Sequence, residues 1–439
     1  MWLFLLFLFF IFILFKFLRQ PKWEHKPPMV GYPWDFLSIL RVCELVHNWW
    51  HDTLYSRMAD LTAEHGLVWC THVPVYGHIV VSIRPDDVKH ILTDNFDNYV
   101  KGPMVHDALY DLLGDGIFTV DGAEWKVQRQ ASAHLFKKRL MHEAVRTFLD
   151  HADDVEAFLD DHIKSNEAFD VQQMFSAFTM DSFIEICFGK KLSTVRGDKI
   201  PFAQAFDDTT AALMFRLAFP LWSYLPKTFK LRRDLRTIRA FVHDVIGERR
   251  AEVARAGSVG TREDVLSRFM SLGHATDQQL HDAAVNFILA GRDTTAQLLT
   301  WTFYLLATHR DTQTKLLHHI DTLVGDKPLT MDNLKHMDYL QAVMDETLRL
   351  YPPVPIDFKK SIAADRLPSG VDVPADTYTM WSAWIMGRSP VLWDDPDTFR
   401  PERWLDPAHP VPPHHAVPFQ QGPRICLGKN FAYLEVKTL

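Results

Sequence analysis

Apolar residues recur at helical spacing from Asp277 to His309, through Leu280, Ala283, Ala284, Phe287, Ile288, Leu298, Leu299, Thr302, Leu305 and Leu306. At 1.5 Å per residue this is a helix of about 50 Å, long enough to cross a whole domain. Thr276 followed by Gln279 offers a capping box at its start. A chain built on such an element must pack further helices around it. Helical periodicity indeed continues over roughly 42–65, 140–164, 171–188, 238–256 and 337–350. Strand-like runs are few, chiefly 78–83 and 378–385. The expected class is therefore mainly α with a small β sheet.

Near the middle of the long helix the apolar pattern is interrupted by AGRDTT, residues 290–295. Gly291 costs about 1 kcal/mol relative to alanine in a helix interior. Asp293, Thr294 and Thr295 compete for backbone hydrogen bonds. One reading is a kink with a solvated aspartate. The sharper reading is a distortion that opens a groove, with the adjacent carboxylate and hydroxyl of Asp293 and Thr294 as a proton-relay pair.

A second cluster stands near the C-terminus in PFQQGPRICLGKNFAYLEVK, residues 418–437. Helical patterning resumes just after Cys426. A thiolate at a helix N-terminus is stabilised by the dipole and by free N–H groups, so a lowered pKa and metal ligation are expected of it. Gly422 and Gly428 let the backbone approach a flat ligand. Arg424 can pair with a carboxylate on that ligand. Taken singly, Cys426 reads more readily as an ordinary buried cysteine.

The spacing FxxGxRxCxG, carried by Phe419, Gly422, Arg424, Cys426 and Gly428, resembles the haem-binding signature of the cytochrome P450 family. That resemblance implies haem b (iron protoporphyrin IX) with Cys426 as the proximal iron ligand, whose electron donation favours O–O cleavage. Ala290, Gly291, Asp293 and Thr294 are similar to the family's oxygen-activating element. Thr294 would then hydrogen-bond dioxygen (O2), and Asp293 would help supply protons. Trp125 and Arg129 resemble the family's WxxxR, which makes them, with Arg424, partners of the haem propionates; alone, Trp125 reads as a core aromatic. Glu346 and Arg349 form ExxR, and Arg403 in FRPERW resembles the third member of a Glu-Arg-Arg cluster, read here as structural.

Composition and termini narrow the reading further. A net charge of −8 gives no footprint for nucleic acid. Four scattered cysteines make neither a disulfide framework nor a CxxC zinc site. Residues 1–15 carry no polar side chain, and 1–18 as a helix reach about 27 Å against a hydrocarbon core of about 30 Å. They are expected to form a transmembrane anchor. Lys16, Arg19, Lys22 and Lys26 put the remainder on the cytosolic side by the positive-inside rule, and the resemblance implies the endoplasmic reticulum membrane. Residues 19–33, with five Pro or Gly, read as a stiff hinge, and 34–439 as one haem domain. Family members continue further past the cysteine, so the resemblance implies an incomplete C-terminal end.

No GxSxG, HExxH, GxxxxGK(S/T) or GxGxxG motif occurs. Without a nucleotide motif, electrons are expected from a separate partner, by resemblance the NADPH-dependent flavoprotein reductase. Lys126, Lys137, Lys138, Arg139 and Lys429 offer it a basic face, or simply a solvated one. Residues 95–103, 112–129, 350–359 and 422–437 resemble eukaryotic fatty-acid ω-hydroxylases. This implies a monooxygenase of long-chain fatty acids, with residues 107–118, Phe287, Ala290 and 354–358 bordering the pocket. Three alternatives stay open: hydroxylation of another lipid such as a sterol; a peroxide rearrangement, against which the intact Asp293–Thr294 pair speaks; and a non-catalytic haem-binding membrane protein.

Overall fold

The computed structural model describes residues 23–30, 44, 47–48, 51–73, 76–133, 136, 138–218, 227–256, 264–271 and 275–439. The anchor expected over 1–18 and residues 19–22 and 31–33 of the hinge lie outside the described residues. Among the described residues, no helix is long and apolar enough to cross a membrane.

The elements follow in chain order. They begin with α1 (Leu54–His65), β1 (Val68–Val73), β2 (Gly77–Ser82), α2 (Pro85–Lys89), β3 (Tyr99–Val100), α3 (Gly102–Leu113) and α4 (Gly122–Ala133). The helical half comprises α5 (Lys138–Ser165), α6 (Val171–Phe188), α7 (Pro201–Ala218), α8 (Phe229–Ala256), α9 (Val265–Met270), α10 (Asp277–Thr308), α11 (Arg310–Leu323), α12 (Met331–Lys335) and α13 (Asp338–Leu350). The chain returns to the sheet through β4 (Asp357–Ser361), β5 (Asp365–Arg366), β6 (Asp372–Val373) and β7 (Tyr378–Trp381), then closes with α14 (Ala383–Arg388) and α15 (Lys429–Thr438). Sequence periodicity found the long amphipathic helices; it passed over α3, α7 and α11.

The mainly α class with a small sheet holds. Five strands run in the order β1-β2-β7-β4-β3, and β5-β6 form a separate pair. β2 and β7 are parallel, Ile79 opposite Tyr378, while the other neighbours are antiparallel. The strand expected over 378–385 stops at Trp381. There the Ser382 hydroxyl accepts from the Ile385 N–H at 3.2 Å and caps α14 instead. The apolar run fits either period, and the cap decides between them.

α10 is the axis of the helical core and packs against α3, α6, α8, α9, α13 and α15. Its capping box is formed as read, Thr276 with Gln279. α10 stays helical through residues 290–295, with the Thr294 hydroxyl donating to the Ala290 carbonyl at 2.7 Å. Gly291 serves packing. A Cβ there would stand 1.9 Å from the ring of Phe183, so glycine is what allows α6 and α10 to approach.

Candidate functional site

The loop before α15 is held by its own backbone and by a neighbour. The Cys426 N–H donates to the Phe419 carbonyl at 2.8 Å. Gly422 has φ +63°, and a Cβ on it would lie 2.0 Å from the Leu92 carbonyl oxygen. Its glycine is thus demanded by that close approach. At Gly428, the N-cap of α15, a Cβ would meet nothing nearer than 3.7 Å, so no protein contact demands glycine there. Phe419 packs edge-on against Tyr433 of α15.

Cys426 is exposed as a residue, yet protein crowds its sulfur. That desolvation pushes the thiol pKa up, whereas the N–H groups of Gly428 and Lys429 and the charges of Arg129 and Lys429 pull it down. The donors expected from the helix start are present, and burial acts against them. Arg129 reaches the loop directly, donating to the Ile425 carbonyl at 2.5 Å.

Arg424 lies over the ring of Trp125 at 4.4 Å and donates to the Val120 carbonyl at 3.0 Å and to Asp121 at 2.6 Å. Its buried Nε has no partner among the described residues. Around it stands a cluster that the sequence did not disclose. Lys101 pairs with Asp357 at 3.2 Å, and Asp357 also accepts from Gln420. Lys359, 1% exposed, has no partner for Nζ among the described residues. Burial drives its pKa well down, with Lys101 and Arg424 adding repulsion that Asp357 and Asp121 only partly offset. Asp357 and Lys359 alternate to one face of β4, which is the signal that pattern reading could have used. Lys101, Arg129, Lys359 and Arg424 against Asp121 and Asp357 leave a surplus of two positive charges when all are ionised.

On α10, Asp293 and Thr294 are neighbours in sequence and are not bonded to each other. Arg292, buried, joins Asp293 at 2.9 Å and Asp207 of α7. Burial raises the Asp293 pKa; Arg292 opposes this and Asp207 reinforces it. One residue on, Thr295 is in hydrogen-bond contact with Glu435 of α15, which also accepts from Ser182 of α6 at 2.7 Å. The segment around Thr294 is thereby tied to the helix that follows Cys426.

Glu346 and Arg349 are fully buried and bidentate, 2.8 Å on each side. Arg403, the Arg400 N–H and the Trp404 indole each reach the same carboxylate at 2.9 Å. Carbonyls of Gly387, Pro396 and Thr398 accept the remaining Arg349 donors. Every group faces inward and none is free to react, as a structural cluster requires. Of the basic face, Lys126, Arg139 and Lys429 are exposed. Lys137 and the Lys138 side chain lie outside the described residues.

A family model described as Cytochrome P450 matches residues 32–439. Cytochrome P450 94A1 of Vicia sativa is 33% identical over 392 residues, 82% of this chain and 74% of that protein. Cytochrome P450 704C1 of Pinus taeda is 33% identical over 429 residues, 89% of this chain and 83% of its own. Cytochrome P450 monooxygenase cyp1 of Mycosarcoma maydis is 30% identical over 398 residues, covering 84% of this chain and 62% of that protein. The fold and these matches define a haem-dependent oxidoreductase that draws on dioxygen and on electrons from a redox partner. The chain belongs to the cytochrome P450 family, as a P450 monooxygenase.

The residues present fit a haem. Its two propionates would meet a surplus of two positive charges, and the partnerless Arg424 Nε and Lys359 Nζ are buried donors suited to an anion. Cys426 is exposed on the loop before α15, and a cysteine thiolate is a haem-iron ligand by its chemistry.

Proposed function

We propose that this monooxygenase hydroxylates long-chain fatty acids at the ω carbon. In this reading residues 1–18 anchor it in the endoplasmic reticulum membrane, 19–33 form the hinge, and 34–439 form the haem domain on the cytosolic face. Cys426 would ligate the iron. Trp125, Arg129 and Arg424, joined by Lys101 and Lys359, would hold the propionates, while Phe419, Gly422 and Gly428 shape the loop beneath. The bound haem supplies the redox chemistry that inserts one oxygen atom of dioxygen into a C–H bond.

The chain's own groups position and protonate. Asp293, held by Arg292 with its pKa raised by burial, is suited to carry a proton toward the distal side. The Thr294 hydroxyl, now donating to the Ala290 carbonyl, can turn to meet dioxygen beside Ala290 and Gly291. The exposed Lys126, Arg139 and Lys429 suit a docking face for an NADPH-dependent flavoprotein reductase. The likeness of residues 95–103, 112–129, 350–359 and 422–437 to fatty-acid ω-hydroxylases favours that substrate class.

One observation carries the reading: the partnerless buried Nε of Arg424, in one charge cluster with the partnerless Lys359 Nζ, belongs to a residue two positions from an exposed cysteine at a helix start. Carbon monoxide added to the reduced, purified chain should produce the red-shifted band of thiolate-ligated haem, and Cys426→Ala should lose it. With reductase and NADPH, a panel of fatty acids should yield terminal alcohols by mass spectrometry. An unchanged band in Cys426→Ala, or haem-replete protein that oxygenates no fatty acid, would overturn the corresponding half of the proposal.

A further inference from the structure

Asp282, Asn286, Ala290 and Thr294 follow one another at four-residue spacing and form one row along α10. The lower two border the proposed oxygen site. The upper two, both buried, grip the turn between α3 and α4. Asn286 Nδ2 donates to the Leu113 carbonyl at 2.8 Å and to the Asp282 carbonyl at 2.7 Å, while its Oδ1 accepts from the Phe118 N–H at 3.3 Å. Asp282 accepts from the Asp115 N–H at 3.2 Å and from Gln278 at 2.6 Å.

The turn is shaped to be gripped. A Cβ on Gly116 would lie 1.9 Å from Asn286 Nδ2, and one on Gly114, at φ +53°, would lie 2.3 Å from the Asp282 carboxylate. The Thr119 hydroxyl closes the turn on itself through the Gly114 and Gly116 carbonyls. Gln128 of α4 holds the Asp115 carbonyl at 2.7 Å. A buried amide that satisfies two carbonyls and one N–H at once fixes position as well as adding stability. The half-exposed Phe118 is carried by this turn, and Phe287 stands next to Asn286 on the helix.

We propose that Asn286, assisted by Asp282, is the positioning residue that locks residues 113–118 onto the central helix and so determines which carbon of a long apolar substrate reaches the Ala290–Thr294 segment. The inference rests on the proposed pocket. It assigns to Asn286 a control of regiochemistry through the wall it holds, not a contact with the reacting atoms.

The test compares wild type with Asn286→Ala, Asn286→Asp and Gly116→Ala as haem-loaded full chains. Asn286→Asp keeps the acceptor for Phe118 and loses both donated bonds, so it serves if the alanine variant does not fold. Hydrogen exchange at the Asp115 and Phe118 amides should accelerate about tenfold, the equivalent of one lost hydrogen bond. With dodecanoic acid as probe, the share of in-chain over terminal alcohol should rise severalfold, and KM should rise more than kcat falls. Unaltered exchange, or faster exchange with an unaltered product ratio, overturns the proposal. If wild type holds haem and leaves dodecanoic acid unoxidised, the substrate reading fails, and the ratio is read on n-dodecane, which lacks the carboxyl group.

Discussion

Lys359 is a cation placed where water cannot solvate it, and it has no hydrogen-bond partner among the described residues. Burial and the charges of Lys101 and Arg424 hold its pKa far below that of an ordinary lysine. A carboxylate arriving beside Nζ would restore the ammonium, so haem loading should take up a proton. Retention must then weaken as pH rises above the depressed pKa, by up to about tenfold per pH unit for one linked proton. Transfer of haem to excess apomyoglobin, followed over a pH series, should show this slope in wild type and a flatter one in Lys359→Met. Equal slopes would remove Lys359 from the haem site. The cysteine loop was readable from sequence because its residues are local and their spacing is rigid. Lys101, Asp121, Asp357 and Lys359 escaped that reading because they meet only when β3, the start of α4 and β4 converge.

At the scale of elements, Glu435 joins three helices, α15, α10 and α6, through Ser182 and Thr295. Complete burial pushes its pKa up to about 8, partly countered by the two hydroxyls. Below its ordinary value of 4.5, folded and unfolded chains both carry the proton. Between there and about 8, the unfolded chain releases it while the folded one keeps it, so stability declines across that window and levels off above. Urea unfolding over this range should show a loss on the order of a few kcal/mol, and Glu435→Gln should flatten it. A variant that retains the full decline would place the titration elsewhere. Element types were legible wherever the apolar period was long, as in α5, α6 and α10. The apolar run that ends β7 was misread as strand throughout because it fits two periods, and the cap at Ser382 settles it. The polar interruption of α10 remains within the helix. Its cause is a neighbour: Phe183 fills the place of a Gly291 side chain, and the Thr294 hydroxyl finds a carbonyl within the helix.

Across the whole molecule, the Glu346 carboxylate fastens α13 to the segment that leads toward the cysteine loop, through Arg349, Arg403 and Trp404. Glu346→Gln leaves two buried guanidinium groups without their counter-charge and should cost about 3–5 kcal/mol. Denaturant unfolding measures it, and a loss below about 1 kcal/mol, the scale of an exposed pair, would show that the cluster is not what holds this region. What the amino-acid order settled was local. Long apolar periods made α10 and its neighbours helical, and fixed intervals put Cys426, Arg424 and Gly422 in one loop and Glu346 with Arg349 on one helical face, since both follow from backbone geometry alone. Folding settled everything that depends on distant segments meeting: the raised thiol, the partnerless lysine, the glycines demanded by Phe183 and Leu92, and the turn gripped by Asn286. Desolvation, close approach and charge pairing act through space, and no spacing along a chain encodes them.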